Sequence, residues 1–154
     1  MTLAEEQFDA IVAGGGVAGL LAAREIAAEG FKVKVLEDDL EIGVPEKCNG
    51  LVSMKALLEL GVVPRGRVVQ NEIKGAVLHS PGGVMIEIDA ARQKVVVLDR
   101  SEFDRELARQ AAQHGAEFEV GLRVDDLQSL SDGVIVYADR RRFHCRFAVD
   151  ARGC

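Results

Sequence analysis

Three glycines near the N-terminus, spaced Gly14-x-Gly16-x-x-Gly19, narrow the range of folds open to this chain. They follow a short apolar run, residues 8–13, and open an alanine- and leucine-rich segment, Val17–Ala28, that favours a helix. A strand that leads through a glycine-rich turn into a helix is typical of the start of a Rossmann-type βαβ unit. We therefore predict an α/β fold with a central parallel sheet and crossover helices.

The second half of this unit supplies an acid where a nucleotide ribose would lie. Gly30 ends the helix, residues 32–36 alternate as a β-branched strand, and Glu37 stands at the end of that strand. In such units the glycines let a pyrophosphate approach the backbone and the helix N-terminus, and the acid accepts hydrogen bonds from the ribose hydroxyls. The sequence predicts a dinucleotide site. The alternatives are a tight turn without a ligand and an exposed acid at a strand end.

The middle of the chain predicts a smaller antiparallel part. Residues 42–53 carry glycines and a proline without periodicity and predict an ordered loop, which leads into a helix over residues 54–60. Residues 73–79 and 84–89 alternate on either side of a Ser-Pro-Gly-Gly turn, which predicts an antiparallel hairpin. Together with a strand over residues 94–98, this hairpin is expected to form a small separate sheet.

The last third of the chain predicts a second crossover helix and three strands. Ser101 is the expected N-cap of a helix that runs to about His114 and places Phe103, Leu107 and Ala111 on one face. The strands that follow are expected over residues 117–124, 133–138 and 142–149.

Charge and cysteine content exclude several kinds of site. The formal net charge of −6 argues against a nucleic-acid partner. The three cysteines share no CxxC spacing, so we expect no disulfide framework and no zinc site, and a reducing cytoplasmic location fits best. The three histidines have no spacing that would bring two together, so no metal site is predicted. The longest uncharged run, residues 10–23, is too short and too rich in glycine to span a bilayer.

Further residues extend the glycine pattern. Ala23, Gly30, Val33 and Val35 follow the glycines and lead to Glu37, and this set resembles the nucleotide-binding fingerprint of the glutathione-reductase-like FAD superfamily. Three other segments are similar to elements of one family of flavoproteins within that superfamily, the geranylgeranyl reductases. They are Val-Pro-Glu-Lys-Cys-Asn-Gly-Leu-Val-Ser at residues 44–53, Leu-Asp-Arg-Ser-Glu-Phe-Asp at 98–104 and Asp-Ala-Arg-Gly at 150–153.

The resemblance implies FAD as the cofactor and a flavin-dependent oxidoreductase that reduces isoprenoid double bonds with reduced FAD. It places Arg100 near the FAD ribose or pyrophosphate, with a surface ion pair as the alternative. Cys48 is the candidate catalytic residue, to position the alkene or relay a proton, whereas a free cysteine is otherwise often a small buried apolar residue. The expected cofactor-binding residues are Gly14, Gly16, Val17, Ala18, Gly19, Glu37, Asp38, Arg100 and Gly153.

The resemblance also bears on domain organisation. Residues 1–154 are expected to form the N-terminal portion of an FAD-binding domain, with the substrate-binding part after residue 154, so the isolated chain is expected to be inactive. The expected partner is a small-molecule or isoprenoid-lipid substrate, with any membrane contact made by parts outside this chain. The alternatives are the FAD domain of an aromatic-ring monooxygenase, a halogenase or an electron-transfer dehydrogenase, and a non-catalytic nucleotide-binding module.

Overall fold

The computed structural model describes residues 7–46, 48–64, 66–89 and 94–153. The chain forms two compact units, the first from residues 7–45 and 104–153 and the second from residues 46–103. The helices are α1 (Val17–Ala28), α2 (Met54–Glu59) and α3 (Arg100–Gln113), with a 3-10 turn at Gly66–Val68. The strands are β1 (Gln7–Ala13), β2 (Val33–Glu37), β3 (Leu51–Ser53), β4 (Val69–Ile73), β5 (Gly75–His79), β6 (Met85–Asp89), β7 (Val95–Leu98), β8 (Glu117–Val120), β9 (Val124–Ser129), β10 (Val134–Ala138) and β11 (Arg141–Asp150).

A six-stranded sheet organises the first unit, in the order β8-β2-β1-β11-β10-β9. Strand β1 pairs in parallel with β2 on one side and with β11 on the other, and β8 extends the parallel part beyond β2. Strands β9 and β10 continue the sheet in antiparallel fashion from β11. The predicted α/β fold with a central parallel sheet is confirmed, and β1 lies between β2 and β11 in that sheet.

Helix α1 begins and ends where the sequence predicts. Its buried face consists of Gly19, Leu20, Ala23 and Ala27. Glycine and the two alanines are small and let the helix lie close to the sheet, while Leu20 is fully buried. In one core cluster, Ala23 and Ala27 of α1 pack against fully buried residues of β1 and β2. These are Ala10, Val12, Val33 and Val35. A second cluster covers the opposite face of the sheet and includes Phe8, Ile11, Leu36, Val136 and Phe143. The sheet is therefore buried on both faces, as parallel sheets require.

Helix α3 buries the predicted face, because Phe103, Leu107 and Ala111 are at most 2% exposed. The prediction of Ser101 as the N-cap of this helix was wrong. The helix begins at Arg100, and the Asp99 carboxylate accepts a hydrogen bond from the backbone N–H of Glu102 at 2.9 Å. Aspartate and serine both cap helices well, so the sequence alone did not separate Asp99 from Ser101.

The described part of the second unit forms two small sheets rather than one. The predicted hairpin is present as β5 and β6, but the expected pairing of residues 94–98 with it was wrong. Strand β7 instead lies between β3 and β4 in a three-stranded sheet. The loop predicted over residues 42–53 therefore ends in a strand. Strands β3 and β4 are short and β4 is largely polar, so neither produces the alternation by which strands are recognised. The predicted helix after this segment is present as α2.

The strand predicted over residues 117–124 is two strands, β8 and β9, which lie at opposite edges of the six-stranded sheet. Strand β8 ends at Val120, and Gly121 adopts a φ of +69°, which an L-residue with a side chain rarely takes. The backbone N–H of Leu122 then donates to the carbonyl of Glu37 at 2.8 Å, and β9 begins at Val124. Among the described residues, no helix combines the length and apolar character needed to cross a bilayer.

Candidate functional site

The first glycine of the pattern makes a turn that no other residue would make without strain. Gly14 has a φ of +105°, and its N–H donates to the carbonyl of Leu36 at 2.8 Å. A Cβ on Gly14 would lie 2.5 Å from the carbonyl oxygen of Ala151, which follows β11. The turn after β1 is thus in direct backbone contact with the segment after β11, and a side chain at Gly14 would force them apart.

The other two glycines differ in what surrounds them. A Cβ on Gly19 would overlap the carbonyl oxygen of Gly14, so this glycine allows α1 to pack against the turn. Gly16, the N-cap of α1, has an ordinary φ of −77°, and a Cβ there would meet no atom of the described chain within 4 Å. Packing therefore gives no reason for glycine at Gly16, whereas a ligand in the open space beside it would. Val17 is half-buried and Ala18 exposed in the first turn of α1.

Gly15 connects the glycine turn to the acid at the end of β2. Its backbone N–H donates to Oε2 of Glu37, and the N–H of Asp39 donates to Oε1 at 3.0 Å. A Cβ on Gly15 would lie 2.9 Å from Oε2 of Glu37, so a side chain there would displace this carboxylate. Gly15 was not among the predicted site residues. Its signal was the run of three consecutive glycines at residues 14–16, one more than the dinucleotide pattern needs.

Glu37 is 9% exposed, so the alternative of an exposed acid at a strand end was wrong. Burial raises the pKa of its carboxyl above the ordinary value, and the neighbouring carboxyl of Asp38 raises it further. The hydrogen bonds from Asp39 and Gly15 act in the opposite direction, because they stabilise the ionised form. Asp38 itself is exposed, and carboxylate oxygens of Glu37, Asp38 and Asp39 lie within 4.8 Å of one another. Oxygens that already accept backbone N–H groups keep lone pairs for a further donor.

The segment after β11 lies against the glycine turn. The N–H of Ala151 donates to the carbonyl of Ala13 at 2.8 Å, and Gly153 adopts a φ of +82°. A Cβ on Gly153 would meet no described atom within 4 Å. The first unit therefore brings together the three glycines of the pattern, Glu37 and the turn that ends at Gly153.

The other two candidate residues lie in the second unit. Cys48 is exposed, with its Sγ 3.9 Å from Oδ1 of Asn49, so the alternative of a small buried apolar residue was wrong. The next residue, Gly50, is anchored on β7, because its carbonyl accepts the N–H of Leu98 at 2.9 Å and a Cβ on Gly50 would overlap the Leu98 carbonyl. Arg100 is half-buried as the first residue of α3. Lys47, part of the segment around Cys48, lies outside the described residues.

Comparison with known proteins shows the family. The family model described as lycopene cyclase protein matches residues 9–154. The chain belongs to this family. A digeranylgeranylglycerophospholipid reductase of Methanocella arvoryzae is 40% identical to it over 119 residues, which are 75% of this chain and 30% of the relative. Digeranylgeranylglycerophospholipid reductase 2 of Methanosphaera stadtmanae is 33% identical over 132 residues, 83% of this chain and 34% of the relative.

Solved structures agree with this assignment. A geranylgeranyl bacteriochlorophyll reductase-like protein from Thermoplasma acidophilum superposes with a TM-score of 0.81 at 29% identity, over 96% of this chain and 40% of that one. A halogenase, PltM, superposes with a TM-score of 0.73 at 19% identity, over 96% and 34% of the two chains, which shows a shared fold. The resemblance to geranylgeranyl reductases is confirmed. This chain spans about a third of the length of the curated relatives it matches.

Proposed function

We propose that this chain binds the ADP portion of FAD within a flavin-dependent oxidoreductase that reduces isoprenoid double bonds. The observation that carries the proposal is the open space beside Gly16, the N-cap of α1, in the same turn whose Gly15 N–H donates to the buried carboxylate of Glu37. Relatives that are 33–40% identical are named for the reduction of a digeranylgeranyl phospholipid, which supports the reaction and the substrate class. A halogenase of the same fold has been crystallised with FAD, which supports the cofactor.

The residues of the first unit fit the ADP group. Helix α1 has no acidic side chain in its first turn, and its N-cap Gly16 provides no side chain to bond the free N–H groups there. Those N–H groups and the partial positive charge of the helix N-terminus would hold the pyrophosphate beside Gly16, Val17 and Ala18. Gly14 and Gly19 keep the turn close to the helix, so that the phosphate can approach the backbone.

Glu37 would select the adenosine ribose. An ionised carboxylate accepts hydrogen bonds from ribose hydroxyls and repels a 2′-phosphate, so the site favours FAD over a phosphorylated dinucleotide. Gly15 and Asp39 hold this carboxylate from the backbone, which leaves its orientation little freedom. Asp38, exposed next to Glu37, would lie at the edge of the proposed ribose site.

Within this proposal, the residues of the second unit have separate roles. As the family resemblance implies, Arg100 would lie near the FAD ribose or pyrophosphate, where its guanidinium can neutralise phosphate charge. Cys48 would contact the substrate, where its exposed thiol can position an alkene or relay a proton. Bound FAD, once reduced, supplies the hydride equivalent for the double bond. Gly153, which belongs to the first unit, would border the flavin side of the nucleotide with its backbone alone, because it brings no side chain into the open space there.

The proposal is tested by comparing this chain with a full-length protein that contains it. We expect the full-length protein to bind FAD and to reduce a digeranylgeranyl lipid when FAD is reduced with dithionite. We expect the isolated chain to bind FAD weakly and not to turn over, because alignment of reacting groups accounts for roughly 7 to 11 kcal/mol of a barrier in favourable cases. Turnover by the isolated chain near the full-length rate would contradict the assignment of this chain to the nucleotide part. A full-length protein that binds neither FAD nor ADP would contradict the proposal as a whole.

A further inference from the structure

The segment that leaves β11 is held by a side chain of its own, that of Arg152. Nε of Arg152 donates to Oδ1 of Asp150 at 2.8 Å, and Nη2 donates to Oδ2 at 2.7 Å. The third nitrogen, Nη1, donates to the carbonyls of Val124 at 3.1 Å and Asp125 at 3.3 Å. One guanidinium therefore ties the end of β11 to the beginning of β9 through all three of its nitrogens.

This segment forms one wall of the glycine turn. Ala151, between the two paired residues, donates its N–H to Ala13, the last residue of β1, at 2.8 Å. The carbonyl oxygen of Ala151 occupies the space that a Cβ on Gly14 would need. The backbone around Gly14 is therefore confined between α1 on one side and the Ala151 carbonyl on the other. A change in the path of residues 150–152 would move the surface against which the glycine turn rests.

We propose that Arg152 is a positioning residue for the nucleotide site. It holds residues 150–153 in the arrangement that keeps the glycine turn and the N-terminus of α1 ready for a pyrophosphate. The inference rests on the proposed function, since it concerns how that site is maintained. Among the described residues, the Arg152 side chain bonds to Asp150 and to two carbonyls of β9, so it acts on the nucleotide site through the backbone rather than by touching the ligand.

A positioning role and a stabilising role predict different effects. The side chains of Arg152 and Asp150 are 37% and 48% exposed, and ion pairs this exposed contribute little to global stability. If Arg152 mattered only for stability, its loss would lower the melting temperature slightly and leave nucleotide binding unchanged. If Arg152 positions the turn, its loss reduces the fraction of molecules with a competent site, and the apparent dissociation constant rises by the inverse of that fraction.

The choice of arginine can be examined separately from its charge. A lysine carries the same charge, but its single ammonium cannot span both Asp150 oxygens and the two β9 carbonyls together. We therefore expect Arg152→Lys to bind nucleotide more weakly than the unsubstituted chain and Arg152→Met to bind more weakly still. Arg141→Met is the matched control. It removes the exposed ion pair with Glu119 from the opposite end of the same strand.

The experiment measures ADP and FAD binding to the full-length protein with these substitutions, with ADP followed by calorimetry and FAD by flavin fluorescence. We expect Arg152→Met to raise both dissociation constants about tenfold, as follows if the competent fraction falls to about a tenth. Its melting temperature should fall no further than that of Arg141→Met, whose binding stays unchanged. Unchanged binding in both Arg152 variants, or equal weakening in Arg141→Met, would overturn the inference alone. An unsubstituted full-length protein that binds neither ADP nor FAD would overturn the proposed function, and this inference with it.

Discussion

The backbone N–H of Gly15 and the carboxylate of Glu37 form a hydrogen bond between the glycine turn after β1 and the end of β2. Two elements 22 residues apart in sequence are joined at the point where the proposed nucleotide would bind. The Glu37 carboxylate therefore has two roles in the proposed site: it holds the glycine turn, and it presents hydrogen-bond acceptors to the ribose. Substitutions around this pair can separate these contributions.

Replacing Glu37 with alanine is expected to weaken ADP and FAD binding. Hydrogen bonds to a charged group contribute about 1.5 to 3 kcal/mol, and the loss of this carboxylate removes those to the ribose. Isothermal titration calorimetry or a chemical-shift titration measures the effect. The control is Asp132→Ala, which removes an exposed acid from the same unit. Equal affinities of the Glu37→Ala chain and the unsubstituted chain for ADP and FAD would show that Glu37 is not part of the nucleotide site.

Nucleotide binding is expected to weaken as the pH falls, starting at a higher pH than for an ordinary glutamate. Burial raises the pKa of Glu37, so its carboxyl takes up a proton earlier on acidification and loses the charge that attracts ribose hydroxyls. A raised pKa in the folded state has the opposite effect on folding, because the stability it contributes is present at low pH and lost as pH rises through that pKa. ADP titrations from about pH 8 to about pH 4, around the ordinary glutamate range, measure the trend. Binding to Glu37→Gln should show no comparable pH dependence; a parallel trend in that variant would assign the effect to another group.

Gly16 and Gly19 are expected to respond differently to a side chain. Gly16→Val should fold, because a Cβ there meets no described atom within 4 Å and the loss of a glycine N-cap costs about 1 kcal/mol or less. The same variant should lose FAD, since the side chain fills the space proposed for the pyrophosphate. Gly19→Ala should instead lower thermal stability, because its Cβ overlaps the Gly14 carbonyl. Circular dichroism and flavin retention distinguish the two, and a folded Gly16→Val chain with normal FAD affinity would contradict the site.

Acid should remove the contribution of Asp150 to stability. Arg152 lowers the pKa of Asp150 from 3.8 to about 2, chiefly through the hydrogen bonds between their side chains. A pKa lowered in the folded state contributes stability above the unfolded-state value, and that contribution is lost as pH falls from about 4 towards 2. Because both side chains are substantially exposed, the loss is expected to be about 0.2 to 1 kcal/mol. Urea unfolding of the unsubstituted chain and of Asp150→Asn measures it. The difference between the two chains should shrink on acidification, and a difference that grows would contradict the pairing.

The β1-α1-β2 unit was predictable because its signals are local. A turn that excludes a Cβ, a run of helix-forming residues and a strand that ends in an acid each leave a mark within a few positions. Helix α1 accordingly begins and ends where the sequence predicted, and Gly14, Gly16, Gly19 and Glu37 lie together in the first unit. The family resemblance followed from the same kind of information, because short segments can be compared without a structure.

Tertiary structure decided which distant groups meet. The pairing of β7 with β3 and β4, rather than with the hairpin, depends on contacts between strands that carry little pattern of their own. Asp99 caps α3 although Ser101 was an equally suitable residue. The hydrogen bond of Gly15 to Glu37 and those of Arg152 to β9 join positions 22 to 28 residues apart. Such contacts arise only when the packed sheet has set the distances between strand ends, and no local pattern in the sequence specifies those distances.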